Sequence, residues 1–405
     1  MQTAKYNSRL LSGPYVSLFL INMIVSSSFY MVSTTISLYV TGFGASLATA
    51  GTIVGSLSIA SMCVRPFSGL LSDRFNRKHL LTFSLFGVSI AMLGCGLTSY
   101  VPLLIAFRIL HGLSFSVATT VIMALVAGTL PHEHMTQGLG YFAVGQTITS
   151  AFAPSLGIWL GNAYGYPFTF QSAAALVFLA AILALFIMRP QDKTALRFTG
   201  KLSASDFISL EALPFGILAI AVAGATGIEN GFVALYGKQM ALGNVGWYFT
   251  IGAVALLLSR ILSGKLADKN TSLVIYTGLG FMSAAFILLG VSSAGNAMAL
   301  FAVAAVLKAL GLGAVQPTLQ AASLKSVPPD KRGAASCTYY LGADVGQAFA
   351  PILGGSIATA QGYSAMFLLF TLPQVLGAVF YFVIKRRQMH HRKGDSYEGI
   401  AQDHT

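Results

Sequence analysis

Four ionisable residues fall deep inside long apolar runs of this 405-residue chain: Arg108, Glu229, Lys308 and Asp344. Such a group at a bilayer centre costs at least about 2.5–3.5 kcal/mol on insertion scales, so it normally faces a cavity or a partner. Two bases and two acids are neutral as a set, which eases their burial. Glu229 and Asp344 are the acids deep within these runs and are therefore the proton-site candidates. Burial favours the neutral form of a carboxyl, and a nearby cation favours the charged form. A carboxyl carried between two such surroundings takes up and releases a proton as the protein changes shape. Each residue also has a structural reading. Arg108 can brace backbone carbonyls, Asp344 can pair with Lys308, and Glu229, beside Asn230 and Gly231, can line a substrate pocket. His111, one turn from Arg108, is either a pocket residue or a hydrogen-bonded packing residue.

These side chains need helices that cross a membrane. The chain is 55% apolar and 9% charged, with a mean hydropathy of +0.73, against about 25% charged residues in ordinary soluble proteins. It lacks the polar side chains to coat a water-facing surface of its size. A soluble enzyme, a disordered chain and a small disulfide scaffold are excluded. With about 20 apolar residues per crossing, the sequence reads as an all-α membrane protein with twelve transmembrane helices. In the first half they are 14–40, 47–71, 80–98, 101–123, 137–160 and 168–188; in the second they are 213–236, 245–266, 273–291, 297–316, 333–357 and 363–384. The first run exceeds a signal-peptide core and reads as a retained helix. Cys63, Cys95 and Cys337 sit in apolar runs without metal-ligand spacing and read as small buried hydrophobes, so no metal or other cofactor is expected.

The formal net charge of +12 is explained by where the bases fall. One set of loops carries Arg74, Arg77, Lys78, then Arg189, Lys193, Arg197, Lys201, then Lys265, Lys269, then Lys325, Lys331, Arg332. The polar tail adds Lys385, Arg386, Arg387, Arg392 and Lys393, while the opposite loops hold Lys238 and otherwise no Lys or Arg. The positive-inside rule then puts both termini in the cytoplasm of a multi-pass protein of the cell membrane. The basic excess orients the chain in the bilayer and is not a nucleic-acid footprint.

The halves repeat one another. Arg65-Pro-Phe-Ser-Gly69-Leu-Leu-Ser-Asp73-Arg74 matches Arg260-Ile-Leu-Ser-Gly264-Lys-Leu-Ala-Asp268-Lys269 at an offset of 195, from 73 to 268. Ala151-Phe-Ala-Pro154 matches Ala348-Phe-Ala-Pro351 at an offset of 197, and Arg108 matches Lys308 at 200. Two pseudo-symmetric six-helix halves follow, at 1–188 and 213–385, with a cytoplasmic linker 189–212 and a cytoplasmic tail 386–405. Parallel repeats of this kind are a secondary-transporter design. At these residues the chain resembles a major facilitator superfamily transporter, and more narrowly the twelve-span drug:proton antiporter branch. Gly69-Leu-Leu-Ser-Asp73-Arg74-Phe-Asn76-Arg77-Lys78 resembles the family's loop between spans two and three, with Asn76 in place of the usual glycine. Arg108-Ile-Leu-His111-Gly112 resembles the fourth-span motif, with His111 in place of Gln. Ala153-Pro154-Ser-Leu-Gly157 resembles the fifth-span antiporter motif, with Ala153 in place of glycine.

Physical chemistry supplies roles for the loop residues. Gly69 permits close approach of a neighbouring helix. Asp73 can accept hydrogen bonds at a facing helix N-terminus near Gly333. With Arg74 and Arg77, and with Asp268 in the second half, it would form a latch that holds the cytoplasmic side shut in one state. The alternative is a solvated loop that serves topology alone. Asn22, Tyr30, His111, Gln146, Tyr236, Gln316, Tyr340 and Gln347 are candidates for lining a substrate pocket. Arg65 and Arg260 lie toward the cytoplasmic ends and read as snorkelling residues without a transport role.

The reading is a single-chain transporter in the lipid bilayer with a small-molecule substrate and protons as the coupling ion. Its leading form is proton-coupled efflux by alternating access. Import of a small nutrient or metabolite by the same fold is the alternative. No GxSxG, HExxH or phosphate-cradling loop occurs, so an enzyme is not expected.

Overall fold

The computed structural model describes residues 12–130, 135–187, 208–328 and 331–386, among which no strand occurs. The helices are α1 (Gly13–Gly42), α2 (Leu47–Arg74), α3 (Arg77–Leu97), α4 (Val101–Thr129), α5 (Met135–Tyr164) and α6 (Tyr166–Ile187), then α7 (Leu213–Gln239), α8 (Gly246–Lys269), α9 (Thr271–Gly290), α10 (Ala297–Lys325) and α11 (Arg332–Leu369). A last helix, α12, covers 372–386. Gly362, at φ 84° and ψ 171°, breaks α11. An L-residue with a side chain resists that left-handed φ, and glycine does not. The chain therefore crosses once over 332–361 and returns over 363–386. All twelve expected crossings are present, and their helices run past the apolar stretches. α4 continues from Met123 to Thr129, and α10 from Gln316 to Lys325.

Local sequence sets the helix starts. Pro14, Pro102 and Pro214 stand in the first turns of α1, α4 and α7, where a missing N–H costs nothing. Ser12 and Ser46 cap α1 and α2 through their hydroxyls. Asn76 caps α3, its Oδ1 accepting from the Lys78 and His79 N–H groups at 3.0 and 3.4 Å. Its φ of −63° is ordinary, so Asn76 acts as a cap and not as the left-handed substitute for glycine. Asn270 does the same for α9, accepting from the Leu273 N–H at 3.0 Å.

Two separate apolar cores fill the bundle. One is built from α1–α6, around Ile21, Val88, Leu104 and Val121. The other is built mainly from α7–α12, around Ile228, Phe286, Phe301 and Phe367. The packing inside each half repeats: α1 lies on α5 as α7 lies on α11, and α2 on α4 as α8 on α10. The halves meet through α2 on α11 and through α5 on α8, and these two contacts are equivalent under the same repeat. At the end that carries the α1–α2 loop the approach is backbone to backbone. A Cβ built on Gly51 would overlap the Pro351 carbonyl, one on Gly55 the Ala348 carbonyl, and one on Gly355 the Leu47 carbonyl. Small residues of this kind let membrane helices touch without side chains between them. On the α5–α8 side the Ser155 hydroxyl donates to the Gly246 carbonyl at 2.6 Å.

Some expectations fall elsewhere. Gly69 has nothing within 4 Å of an added Cβ, and the close backbone approaches of α2 are at Gly51 and Gly55. Cys63 is exposed, Cys337 half-buried and Cys95 buried; the expectation of three buried thiols holds for Cys95 and fails for Cys63, which projects from the side of α2. The side chains of Asp73 and Asp268, the basic linker residues Arg189 to Lys201 and the basic tail from Arg387 onward lie outside the described residues.

Candidate functional site

A chamber of about 150 Å³ lies between the halves. α1 and α5 supply one wall with Tyr30, Gln146, Thr147, Ser150 and Pro154, and α7, α8 and α10 supply the other. The second wall carries the charge: Glu229 from α7, Arg260 from α8 and Lys308 from α10. Its apolar surface comes from Tyr248, Phe249, Leu256 and Leu312.

Lys308 Nζ donates to Glu229 Oε2, and the two form an ion pair with both side chains buried. Desolvation of two ions often cancels their attraction, so a buried pair seldom adds net stability. It does keep two charges at the edge of a cavity in reach of any group that competes for either of them. The first half lacks this pair. Its equivalent of Lys308 is Arg108, and at the same offset of 200 its equivalent of Glu229 is Phe29. Arg108 is fully buried and uses neutral acceptors, the Ile53 carbonyl at 3.3 Å and His111 Nδ1 at 3.4 Å. The Phe29 ring contacts the His111 and Phe115 rings. A weakly hydrated guanidinium tolerates such a place better than an ammonium would.

Asp344 pairs with Arg65 and not with Lys308. Arg65 Nε and Nη2 both donate to the carboxylate, Nη2 at 3.0 Å. The two residues stand on α2 and α11, so the fork joins the halves. Arg65 also lies over the Tyr340 ring, 5.5 Å from its centre, and Gln320 Nε2 donates to the Tyr340 hydroxyl at 2.8 Å. Arg260, the repeat partner of Arg65, reaches across the other interface: its Nη1 donates to Thr147 Oγ1 at 2.6 Å. Thr147 and Asp344 are themselves related by the offset of 197 that relates Pro154 to Pro351. Two equivalent arginines thus tether the halves, one to a carboxylate and one to a hydroxyl. The sequence reads both as snorkelling residues; their hydrogen bonds across to the opposite half correct that expectation. A bidentate, charge-assisted contact is the stronger of the two. Asp344→Asn is expected to lower the unfolding stability of the purified protein by about 2 kcal/mol. The exchange Arg65→Asp with Asp344→Arg should recover most of it. Equal losses in the single variants and the exchange, measured by thermal unfolding, would show that the tether carries no coupling.

Of the pocket candidates, Tyr30, Gln146 and Gln316 line the chamber together with Glu229 and Lys308. The others are placed differently. Asn22 is buried in the first half, its Nδ2 without a partner among the described residues, and His111 Nε2 is likewise unpartnered. Tyr236 stacks on Tyr363 and Phe367 in the second core. Tyr340 belongs to the Arg65 tether, and Gln347 packs on α11 against Gly227 of α7. Of the loop residues, Arg74 is exposed at the end of α2, and Arg77 Nε donates to the Ser72 carbonyl at 3.1 Å. Sequence reasoning missed Thr147, Tyr248 and Arg260 as chamber residues. The repeat offset was the signal for Arg260 and Thr147; Tyr248 had none.

The profile of the Major Facilitator Superfamily matches residues 18–336 and 215–397. The multidrug resistance protein MdtG of Enterobacter lignolyticus is 29% identical over 245 residues, 58% of this chain and 58% of that protein. The staphylopine export protein of Staphylococcus aureus is 23% identical over 273 residues, 64% of this chain and 67% of that protein. The match thus spans less than two thirds of the length of the MdtG relative. Among solved structures, the nucleoside transporter NupG superposes with a TM-score of 0.78 at 13% identity, over 91% of this chain and 99% of that one. A bacterial homologue of the human lysosomal transporter Spinster, inward-facing and unoccupied, superposes with a TM-score of 0.75 at 17% identity, over 95% and 98%. At these identities the superpositions speak for the fold alone. The repeat, the chamber between equivalent halves and the profile match agree: the chain belongs to the Major Facilitator Superfamily of membrane transporters.

Proposed function

We propose that the protein exports small organic molecules in exchange for protons, by alternating access of the chamber to the two sides of the cell membrane. The observation that carries this is the buried Lys308–Glu229 pair at the chamber wall. An ionised Glu229 is held by Lys308 or by a cationic group of the substrate. A protonated Glu229 binds neither strongly. Proton and substrate then compete for one carboxylate, which is the condition for exchange. In this proposal the basic loops face the cytoplasm, both termini lie there, and the glycine contacts at the α1–α2 loop end close the outer side. The cytoplasmic ends of α2 and α8, with Gly69, Asp73, Arg74, Arg77 and Asp268, form the latch of the opposite state. The protein works as a monomer. The relatives' names, a multidrug resistance protein and an export protein, support export.

The same Lys308–Glu229 pair also admits an importer reading. Protonation of Glu229 frees Lys308 for an anion, so a purely anionic substrate would bind together with a proton and travel with it. Proteoliposomes with an imposed pH gradient separate the two. Under exchange, addition of substrate on the side that faces the basic loops releases protons from the protein and drives proton flux opposite to substrate. Flux in the same direction selects import, and the absence of any proton flux removes both.

A further inference from the structure

Between the chamber and the α1–α2 loop, α1 carries two hydroxyls that the folded chain leaves unmatched. Ser33 and Ser37 follow Tyr30 at intervals of three and four residues, so the three share one side of the helix. Tyr30 lines the chamber between the halves, and Leu38 packs in the core of the second half. That side of α1 therefore faces the second half, where α1 packs on α7. Ser33 and Ser37 are 4% and 0% exposed, and neither hydroxyl has a partner among the described residues. Their neighbours behave differently. Thr34, Thr35 and Thr41 turn back and donate to the Tyr30, Met31 and Ser37 carbonyls at 2.8, 2.6 and 2.8 Å. The two serines direct their hydroxyls away from their own backbone instead. At the offset of 200 that relates Phe29 to Glu229, their counterparts on α7 are Val233 and Gly237, whose side chains bring neither donor nor acceptor.

A buried hydroxyl without a partner gives up its hydration and gains no hydrogen bond in return. Here the cost lasts only while the halves are closed. Parting them at the α1–α2 loop end admits water to this side of α1 and satisfies both groups. The backbone contacts of Gly51, Gly55 and Gly355 favour the closed form, and the two serines oppose them. We propose that Ser33 and Ser37 form a built-in bias toward opening, which keeps the glycine seam from locking this end shut. The inference rests on alternating access as read above. It is independent of the cargo, of the direction of transport and of the proton.

A thiol placed in the seam reports how often this end opens. Leu38→Cys, in the full-length chain with the three native cysteines replaced by serine, is 5% exposed as leucine and reacts only when the halves part. In lipid nanodiscs, its rate of modification by a quaternary-ammonium methanethiosulfonate is then proportional to the open population. Ser33→Ala with Ser37→Ala should slow that modification at least about tenfold, with each single variant in between and no fall in the melting temperature. Ser28→Ala is the control: its hydroxyl donates to the Ala173 carbonyl at 3.3 Å within the first half, so its loss leaves the rate unchanged. Hydroxyls that merely held the closed form together would give the opposite sign, faster modification and a lower melting temperature in the double variant. That result, or an unchanged rate, overturns the inference and leaves alternating access standing. A thiol at position 38 that reacts in no variant overturns alternating access at this end, and the inference falls with it.

Discussion

Under the proposed exchange, Glu229→Gln is expected to stop proton-driven transport: in proteoliposomes the variant's rate should no longer respond to a pH gradient and should fall at least about a hundredfold below wild type. The amide keeps the shape of the side chain and removes its titration. It also leaves the Lys308 ammonium buried beside a neutral group. Breaking one side of a buried ion pair costs about 3–5 kcal/mol of folding stability. Asp344→Asn provides the contrast. Asp344 pairs with Arg65 at the α2–α11 contact and does not line the chamber, so this variant keeps its response to the gradient even if its rate falls. An unaltered gradient response in Glu229→Gln would take the coupling role away from this residue. The same result in Glu229→Gln and a flat response in Asp344→Asn would transfer that role to Asp344.

The second large effect is mechanical. Gly51→Val with Gly55→Val should hold the α1–α2 loop end open. Each new Cβ would coincide with a carbonyl of α11, and overpacking of this kind costs about 1–3 kcal/mol per site. The closed arrangement then loses enough to shift the population between the two forms by about a hundredfold or more. Spin labels at Phe43→Cys and Ala294→Cys, in a background with the three native cysteines replaced by serine, read the separation of the halves at that end. The distance should lengthen by several ångströms in the double glycine variant. Gly280→Val serves as control, because an added Cβ there meets nothing within 4 Å. A distribution that matches the control would mean that the halves part elsewhere.

The twelve crossings were legible because a 20-residue apolar run is a strong signal and because loops here are short. Helix ends were less so. α4 continues through an apolar stretch to Thr129, and α10 continues through a stretch with Pro317, Thr318, Gln320 and Lys325 whose composition reads as loop. Burial was also readable: Arg108, Glu229, Lys308 and Asp344 are all buried. Direction was not. Whether Asp344 meets Lys308 or Arg65 depends on the rotation of α11 about its axis, which nothing in one sequence reports. The same reason separates Tyr30 and Gln316, on the chamber wall, from Asn22 and Tyr236, inside the halves. Both groups are polar residues on the buried side of a helix, and the interior of a half and the space between halves select the same composition.

The unequal tethers and the neutral acceptors of Arg108 bear on how such proteins diversify. The frame of helices and glycine seams is duplicated, whereas the ionic chemistry sits at a few facing positions: Phe29 against Glu229, Arg108 against Lys308, and Thr147 against Asp344. A graft of those side chains from one bundle to the other leaves the glycine seams as they are but rewrites the contacts of Arg65 and Arg260 across the two interfaces.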